Sequence, residues 1–167
     1  AKVLKLYEED DIDHIVDNME EGILRIFLLR LRKLAFLLMH PNYLLRFIKL
    51  GSVPAVEHYN SLRKLNLSTV VDVGAHRGQF ASICEFMKVQ YIYSFEPQRE
   101  EFKKLKSLRI KNLIAKQTAV GNRSGTIKLN VSKATDSSSV LEPSKLQTQV
   151  FPSSSLTGTE VVSIEKL

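Results

Sequence analysis

The feature that most constrains the fold is a short β-branched run followed by a glycine loop and a helical pattern. Residues 69–73 read Thr-Val-Val-Asp-Val, which is typical of a parallel strand buried in a sheet. Gly74 closes this run, and Gly78 opens an amphipathic segment that extends to Lys88. A strand, a tight loop and a helix in this order predict the first unit of an α/β sheet.

The alternation continues after this unit. Tyr91–Phe95 predicts a second strand that ends at Glu96-Pro97, and Gln98–Leu108 predicts a second amphipathic helix. Leu113–Val120 predicts a third strand. This order predicts an α/β fold with a doubly wound, Rossmann-like parallel sheet.

After the third strand the alternation stops. Residues 126–131 and 160–164 predict two strands separated by a Ser- and Thr-rich loop, and without a helix between them we expect a hairpin-like β extension. Three parallel strands leave one edge of a sheet unpaired, which a free-standing domain avoids. We therefore expect residues 66–167 to be a Rossmann-like domain that is truncated at its C-terminus.

Residues 1–65 have a helical pattern and form a predicted N-terminal region. We predict one helix over 42–50, ended by Gly51, and another over 53–65. Pro54 falls in the first turn of the second helix, where its missing N–H costs nothing.

Charge is distributed unevenly over this region, although the whole chain carries a formal net charge of +6. Eight acids precede residue 22, namely Glu8, Glu9, Asp10, Asp11, Asp13, Asp17, Glu20 and Glu21. Eight cations follow against Glu57 alone, namely Arg25, Arg30, Arg32, Lys33, Arg46, Lys49, Arg63 and Lys64. We interpret the two stretches as solvated faces or as complements of each other. A nucleic acid or an anionic membrane is the alternative partner.

Residues 23–39 form the most hydrophobic segment of the chain. Four cations between Arg25 and Lys33 interrupt it, and it falls short of the ~20 apolar residues that a spanning helix requires. The cations gather on less than half of the helix, which leaves a wide apolar face. We expect that face to pack on the domain or on another subunit, and contact with a membrane surface is the alternative.

The single Cys84 lies among apolar positions of a predicted helix. One cysteine cannot form an internal disulfide, so we expect a reduced, cytoplasmic setting, with peripheral membrane attachment as the alternative. We expect Cys84 to fill space in the core, and a catalytic thiol is the other interpretation. His14, His40 and His58 have no metal-ligand spacing with it, so no metal site is expected.

The loop between the first strand and its helix is where we expect a ligand. Gly74 allows a tight turn and a close approach to the backbone, and Gly78 opens a helix whose free N–H groups face the ligand. The spacing is G-x-x-x-G rather than the G-x-G-x-x-G of dinucleotide binders. S-Adenosylmethionine has no pyrophosphate, and its amino-acid tail offers an ammonium for Asp72 and a carboxylate for loop N–H groups. The pattern therefore predicts an S-adenosylmethionine pocket.

A second acid supports this interpretation. Glu96 ends the second strand eighteen residues after Gly78, where a carboxylate can accept hydrogen bonds from both ribose hydroxyls. A strand–helix–strand unit that binds no ligand is the alternative. The predicted cofactor-binding residues are Asp72, Gly74, Ala75, His76, Gly78, Phe80, Glu96, Pro97, Ala119 and Val120. Ala119 and Val120 are included because they end the predicted third strand, and they are equally consistent with ordinary core residues.

His76 is the candidate for catalysis in this loop. With an ordinary pKa of roughly 6.5 it could accept a proton from a substrate. The other interpretation is that it hydrogen-bonds within the loop and shapes the pocket wall. The catalytic residue is otherwise left unassigned.

A longer series of segments resembles the FkbM family of S-adenosylmethionine-dependent methyltransferases. From about Thr69 to the end the segments are VVDVGAHRGQF, SFEP, TAVGNRSGTIKLNVS, TDSSSVL and QVFPSSSLTGTEVVSIEKL. The upstream HPNYLLRFIKLGSVPAVEHYNSL resembles the helical lead-in of some members. The resemblance implies a class I methyltransferase sheet, with Asp72, Gly74 and Gly78 in the cofactor loop and Glu96 on the ribose.

The resemblance also bears on the acceptor side of the site. It implies that Ser137, Ser138 and Ser139 lie near the mouth of the active site, whereas the residues alone fit an ordinary polar loop equally well. The family usually has Asn at the position of His76. It continues after Leu167 with an Asp and a strand carrying a Lys-Ile-Asp-x-Glu-Gly-like segment at the reaction centre. We therefore expect an N-terminal portion that binds cofactor poorly and is inactive alone.

The function implied by this resemblance is O-methylation of a hydroxyl group on a sugar, a glycan or a secondary metabolite. An RNA methyltransferase is a rival prompted by the positive charge. Against it, aromatic and basic residues are not interleaved as base stacking requires, so no nucleic-acid partner is expected. A second rival is a non-catalytic module whose basic helix docks on a membrane or partner and whose Rossmann-like half is vestigial.

Overall fold

The computed structural model describes residues 23–134, 136 and 138–166. The acidic stretch between residues 8 and 21 and the predicted mouth residue Ser137 lie outside these ranges. Among the helices described, none combines the length and the apolar character that crossing a bilayer requires.

The helical region begins with α1 (Ile23–Met39) and α2 (Pro41–Leu50). The predicted helix over 42–50 is confirmed and starts one residue earlier, at Pro41. Gly51 ends it in the left-handed conformation, at φ 65°, and donates its N–H to the carbonyl of Phe47 at 2.8 Å. A glycine therefore stops α2 as the sequence indicated.

The predicted helix over 53–65 is wrong at its start. A 3₁₀ turn covers Val56–His58 and α3 covers only Tyr59–Arg63, so Pro54 precedes both. The N–H of Ala55 donates to the carbonyl of Gln79, in the following domain, at 3.0 Å. Ala55 itself has φ −76° and ψ 65°, which is not helical, so the helical structure begins only after it.

The parallel sheet contains β1 (Thr69–Val73), β2 (Tyr91–Phe95) and β3 (Leu113–Lys116), in the order β1-β2-β3. The crossover helices are α4 (Gln79–Phe86) and α5 (Arg99–Ser107). Parallel neighbours require such crossovers, and their carboxyl ends meet at one edge of the sheet. The expected Rossmann-like α/β fold is confirmed.

The prediction that strand β1 is buried on both of its faces is wrong. Val70 is buried, whereas Val71 and Val73 are 51% and 55% exposed. Strand β1 lies at the sheet edge, and the helices of the described residues cover only the face that carries Val70 and Ile92. On the opposite face, the β1 side chains Val71 and Val73 are exposed in this part of the chain, whereas Phe95 of β2 is buried.

A second sheet follows, made of β4 (Ala119–Gly121), β5 (Gly125–Ser132) and β6 (Leu156–Lys166) in the order β4-β6-β5. Strands β5 and β6 are antiparallel, as the predicted hairpin-like extension requires. The loop between them holds a short helix, α6 (Lys145–Val150).

The prediction of one strand over residues 113–120 is wrong. The structure divides these residues between β3 and β4, which belong to different sheets. Pairing with β2 ends at Lys116, and Ala119 pairs instead with Ile164 of β6. Ala119 and Val120 therefore belong to the second sheet and do not end the third parallel strand. The strand with which they pair, β6, lies more than forty residues further along the chain.

One hydrophobic core joins the helical region to the parallel sheet. Phe36 of α1 and Val56 of the 3₁₀ turn are buried in the same cluster as Ile83, Ile92 and Leu105. Arg46 of α2 also forms a bidentate ion pair with Glu85 of α4. The boundary near residue 65 stays a prediction, and the two sides of it pack closely.

Candidate functional site

The loop of residues 74–78, called the Gly loop below, is fixed against the end of β2. The N–H groups of Gly74 and Ala75 both donate to the carbonyl of Phe95, at 2.8 and 3.1 Å. Within the loop, the N–H of Gly78 donates to the carbonyl of Ala75 at 2.8 Å. These bonds place the loop at the carboxyl edge of the parallel sheet, where ligands bind in open α/β folds.

Glu96 joins the Gly loop to the start of α5. Its Oε2 accepts the N–H of His76 at 2.7 Å, and its Oε1 accepts the N–H of Gln98 at 2.8 Å. Burial raises the pKa of Glu96, and the two backbone hydrogen bonds oppose that rise. The amides of Gly74, Ala75, His76 and Gly78 are thus engaged within the protein. At these four positions the expectation that loop N–H groups take a ligand carboxylate is not met.

The two glycines of the loop serve different purposes, although both have positive φ. A Cβ at Gly74, where φ is 80°, would meet no heavy atom of the described residues within 4 Å. A Cβ at Gly78, where φ is 75°, would lie 2.5 Å from Leu108 Cδ1 and 2.6 Å from Leu105 Cδ1. Gly74 therefore borders open space, and Gly78 allows α4 to begin close against the end of α5.

Asp72, the next-to-last residue of β1, has a carboxylate oxygen that is suited to an additional binding partner. Its Oδ2 is buried and has no hydrogen-bond partner among the residues described. Burial raises the pKa of Asp72 to about 6, and the side chain of the neighbouring Ser94 lowers it in part. A buried carboxylate without a partner is costly, and a cation or donor placed at Oδ2 would remove that cost.

Glu101 is a buried residue of the site that the sequence interpretation missed. Its Oε2 accepts from Arg77 Nε at 2.8 Å and lies 3.5 Å from His76 Nε2, while its Oε1 accepts from Lys104 Nζ at 2.9 Å. Burial alone would raise the pKa of Glu101, but the hydrogen bonds from Arg77 and Lys104 outweigh it and lower the pKa. An acid in the first turn of α5 was visible in the sequence, but that position indicates helix stabilisation and not a contact with the Gly loop.

His76 adopts a left-handed conformation with φ at 49°. Burial lowers its pKa, while the nearby carboxylate of Glu101 opposes that shift. The imidazole is therefore mostly neutral near pH 7, and its Nε2 faces a carboxylate that also holds Arg77.

The Ser-rich loop lies beside Glu96. Ser138 Oγ donates to the side-chain oxygen of Gln98 at 3.3 Å and accepts the N–H of Ser132 at 3.2 Å. The backbone of Ser139 exchanges two hydrogen bonds with the backbone of Asn130 in β5, at 2.8 and 3.0 Å. The charge of Asp136, in the same loop, opposes the lowering of the pKa of His76 by burial. Of the two described serines predicted at the mouth of the site, Ser138 thus contacts Gln98, and Ser139 contacts β5.

The other predicted site residues lie further into the protein. Ala75 is buried in the core, and Phe80 packs edge-on against His58 with ring centroids 5.9 Å apart. Pro97 is half-buried. Cys84 is fully buried and burial raises its pKa to about 11. Across the described ranges, His, Cys, Asp and Glu nowhere form a group that could hold a metal ion.

Comparison with known families decides what kind of domain this is. The family model described as the Methyltransferase FkbM domain matches residues 72–166, more than half of the chain. The chain belongs to the FkbM methyltransferase family. Neither the curated proteins nor the solved structures give a match. The FkbM domain begins at Asp72 and runs through β6, so it includes the Gly loop, Glu96 and the second sheet.

Proposed function

We propose that this FkbM domain is an S-adenosylmethionine-dependent methyltransferase whose cofactor binds at the carboxyl ends of β1 and β2. The buried, unpartnered Oδ2 of Asp72 carries the proposal, because it is suited to an ammonium group. Gly74 leaves open space nearby. When bound, the cofactor would supply an electrophilic methyl group on its sulfonium.

Each residue of the site then has a chemical task. Asp72 holds the ammonium of the amino-acid tail. Glu96 uses one acceptor position on each oxygen for a backbone N–H, and a carboxylate has about four such positions, which leaves acceptors for ribose hydroxyls. The first N–H groups of α4 have no partner within the helix and offer donors for the tail carboxylate in place of the Gly loop amides.

We assign His76 to the pocket wall and not to proton transfer. Its backbone is bonded to Glu96, and its ring lies beside the Glu101 carboxylate that Arg77 and Lys104 also contact. These contacts hold the ring in place. The main contribution of the site is then to orient the methyl donor and an acceptor hydroxyl in line.

Calorimetric titration of S-adenosylhomocysteine into the full-length protein tests the cofactor site. The wild type should bind one equivalent, and Asp72→Asn, which keeps the shape of the side chain, should weaken binding by about tenfold or more because a charged hydrogen bond is lost. Glu100→Gln is the matched control, since Glu100 is an exposed acid of α5 paired only with Lys103 in the described structure. Failure of the wild type to bind, or equal affinity of Asp72→Asn, contradicts the proposal.

For the acceptor we propose a hydroxyl group of a sugar, a glycan or a secondary metabolite. The support is membership of the FkbM family together with the hydrogen bond from Ser138 to Gln98, two residues after Glu96. Transfer of a labelled methyl group from S-adenosylmethionine to a panel of sugars and glycans tests this, with RNA in a parallel reaction. Label in RNA alone would favour the rival function.

A further inference from the structure

Helix α1 has apolar side chains on two separate sides. On the inner side, Phe36 and Leu37 are buried. On the outer side, five apolar side chains recur at alternating spacings of three and four residues and are between 44% and 65% exposed: Leu24, Phe27, Leu31, Leu34 and Leu38. That spacing places all five along one stripe of the helix. A single helix of a folded domain needs only one such side.

Helix α2 also exposes apolar side chains. It follows α1 after a single residue, and none of its residues is buried. Its inner side is held by Arg46 and Tyr43, which both contact Glu85. Leu45, Phe47 and Ile48 are between 42% and 69% exposed. We call the exposed apolar residues of α1 and α2 the α1–α2 surface. Exposed apolar side chains in such number on two successive helices indicate an interaction site.

The charges around the α1–α2 surface are almost all positive. Arg30, one turn before Leu34, and Lys49, next to Ile48, are both exposed. Two other cations of these helices are paired within the protein, Lys33 with Glu57 at 3.0 Å and Arg46 with Glu85, so Arg30 and Lys49 are the ones that carry the argument. The partner must therefore offer apolar groups and negative charge together.

This charge pattern distinguishes between the possible occupants. A second copy would place the same exposed cations, Arg30 and Lys49, on both sides of the interface, where like charges repel. An anionic bilayer offers acyl chains for the apolar side chains and phosphates for the cations, which is how interfacial helices bind. The exposed apolar groups are aliphatic or phenyl, so they make no demand for specific hydrogen-bond partners.

We propose that the α1–α2 surface docks on an anionic membrane surface, with its apolar side chains at the boundary between headgroups and acyl chains. Arg30 and Lys49 contact lipid phosphates at the rim. The helices lie along the membrane, and Glu85 anchors α2 to the methyltransferase domain through Arg46. This proposal is independent of the cofactor site.

Co-sedimentation of the full-length protein with lipid vesicles tests the proposal. The vesicles contain phosphatidylcholine alone or with about 30 mol% phosphatidylserine, and we expect at least about tenfold stronger binding to the anionic vesicles. Leu34→Glu combined with Ile48→Glu, and Arg30→Glu combined with Lys49→Glu, should each reduce that binding by about tenfold or more. The matched controls, Leu141→Glu with Val161→Glu and Lys111→Glu with Lys128→Glu, alter exposed residues elsewhere and should bind like the wild type.

Several outcomes would overturn the proposal. Absence of vesicle binding by the wild type, or binding unchanged by either α1–α2 variant, removes the membrane as the partner. A dimer in light scattering that Leu34→Glu with Ile48→Glu dissociates would assign the surface to a second copy. Vesicle binding that appears only after removal of residues 1–22 would assign it to the acidic stretch. Circular dichroism of each variant ensures that binding is compared between folded proteins.

Discussion

The backbone N–H of His76 donates to Oε2 of Glu96 at 2.7 Å, across the junction between the Gly loop and the end of β2. The other oxygen of this carboxylate accepts the N–H of Gln98, and Glu96 is only 2% exposed. Glu96 therefore supports the fold of the site as well as offering acceptors to a ligand. A loss of cofactor binding in a Glu96 variant would not separate these two roles. Asp72 allows a cleaner test, because its Oδ2 has no hydrogen bond to any residue that the structure describes.

Glu96→Gln should lower the free energy of unfolding by roughly 1.5–3 kcal/mol. The amide keeps one oxygen acceptor, but its NH₂ group then faces the other backbone N–H, and that donor is left buried without a partner. Urea unfolding followed by circular dichroism measures the loss. Glu100→Gln, at an exposed position, should leave the free energy of unfolding unchanged, and an equal effect of the two variants would contradict this role of Glu96.

Alanine at the two loop glycines should have unequal effects. Gly74→Ala adds only the strain of a left-handed residue, about 1–2 kcal/mol, because its Cβ meets open space. Gly78→Ala adds the same strain and about 1–3 kcal/mol more, because its Cβ overlaps Leu105 and Leu108. Urea unfolding of both variants under the same conditions checks the order. Equal losses would show that α4 and α5 can separate without cost.

Cys84 should not react with thiol reagents in the folded protein. It is fully buried, and a pKa of about 11 keeps it protonated at mildly alkaline pH, whereas the thiolate is the reactive form. Ellman's reagent should label it only after unfolding in guanidinium. Rapid labelling of the folded protein would restore the interpretation of Cys84 as a reactive thiol.

The parts of the fold that the sequence predicted correctly are those with strong local patterns. The predicted bounds of β1 and β2 match the structure, because a β-branched run or an apolar run between turn residues defines each strand without reference to distant partners. The break at Lys116 was not predictable in this way. Ala119 continues the same apolar pattern, and only its pairing with Ile164 moves it into another sheet.

The site shows the same division. Spacing alone predicted that Asp72 and Glu96 lie at the same edge of the sheet, because the carboxyl ends of neighbouring parallel strands meet there. Glu101 was missed because its contact with Arg77 depends on how α5 packs over the Gly loop. The separate tasks of Gly74 and Gly78 were also invisible, since they depend on whether Leu105 and Leu108 lie nearby.

Asp72 should make the stability of the protein depend on pH in an unusual direction. Its pKa rises from 3.8 to about 6 on folding, so between about pH 4 and pH 6 the folded state binds more protons than the unfolded state. The contribution of Asp72 to the free energy of unfolding therefore falls as pH rises through this window. Glu101, whose pKa is lowered, acts in the opposite direction and at more acidic pH.

Comparing Asp72→Asn with the wild type isolates this contribution, because the other groups cancel in the difference. The variant should be more stable by about 1–3 kcal/mol at pH 7, and the difference should disappear below about pH 4, where Asp72 is protonated. Urea unfolding at several pH values measures it, and a difference independent of pH would contradict the raised pKa. Greater stability at neutral pH combined with weaker binding of S-adenosylhomocysteine would mean that the buried charge of Asp72 serves the ligand at the expense of the fold.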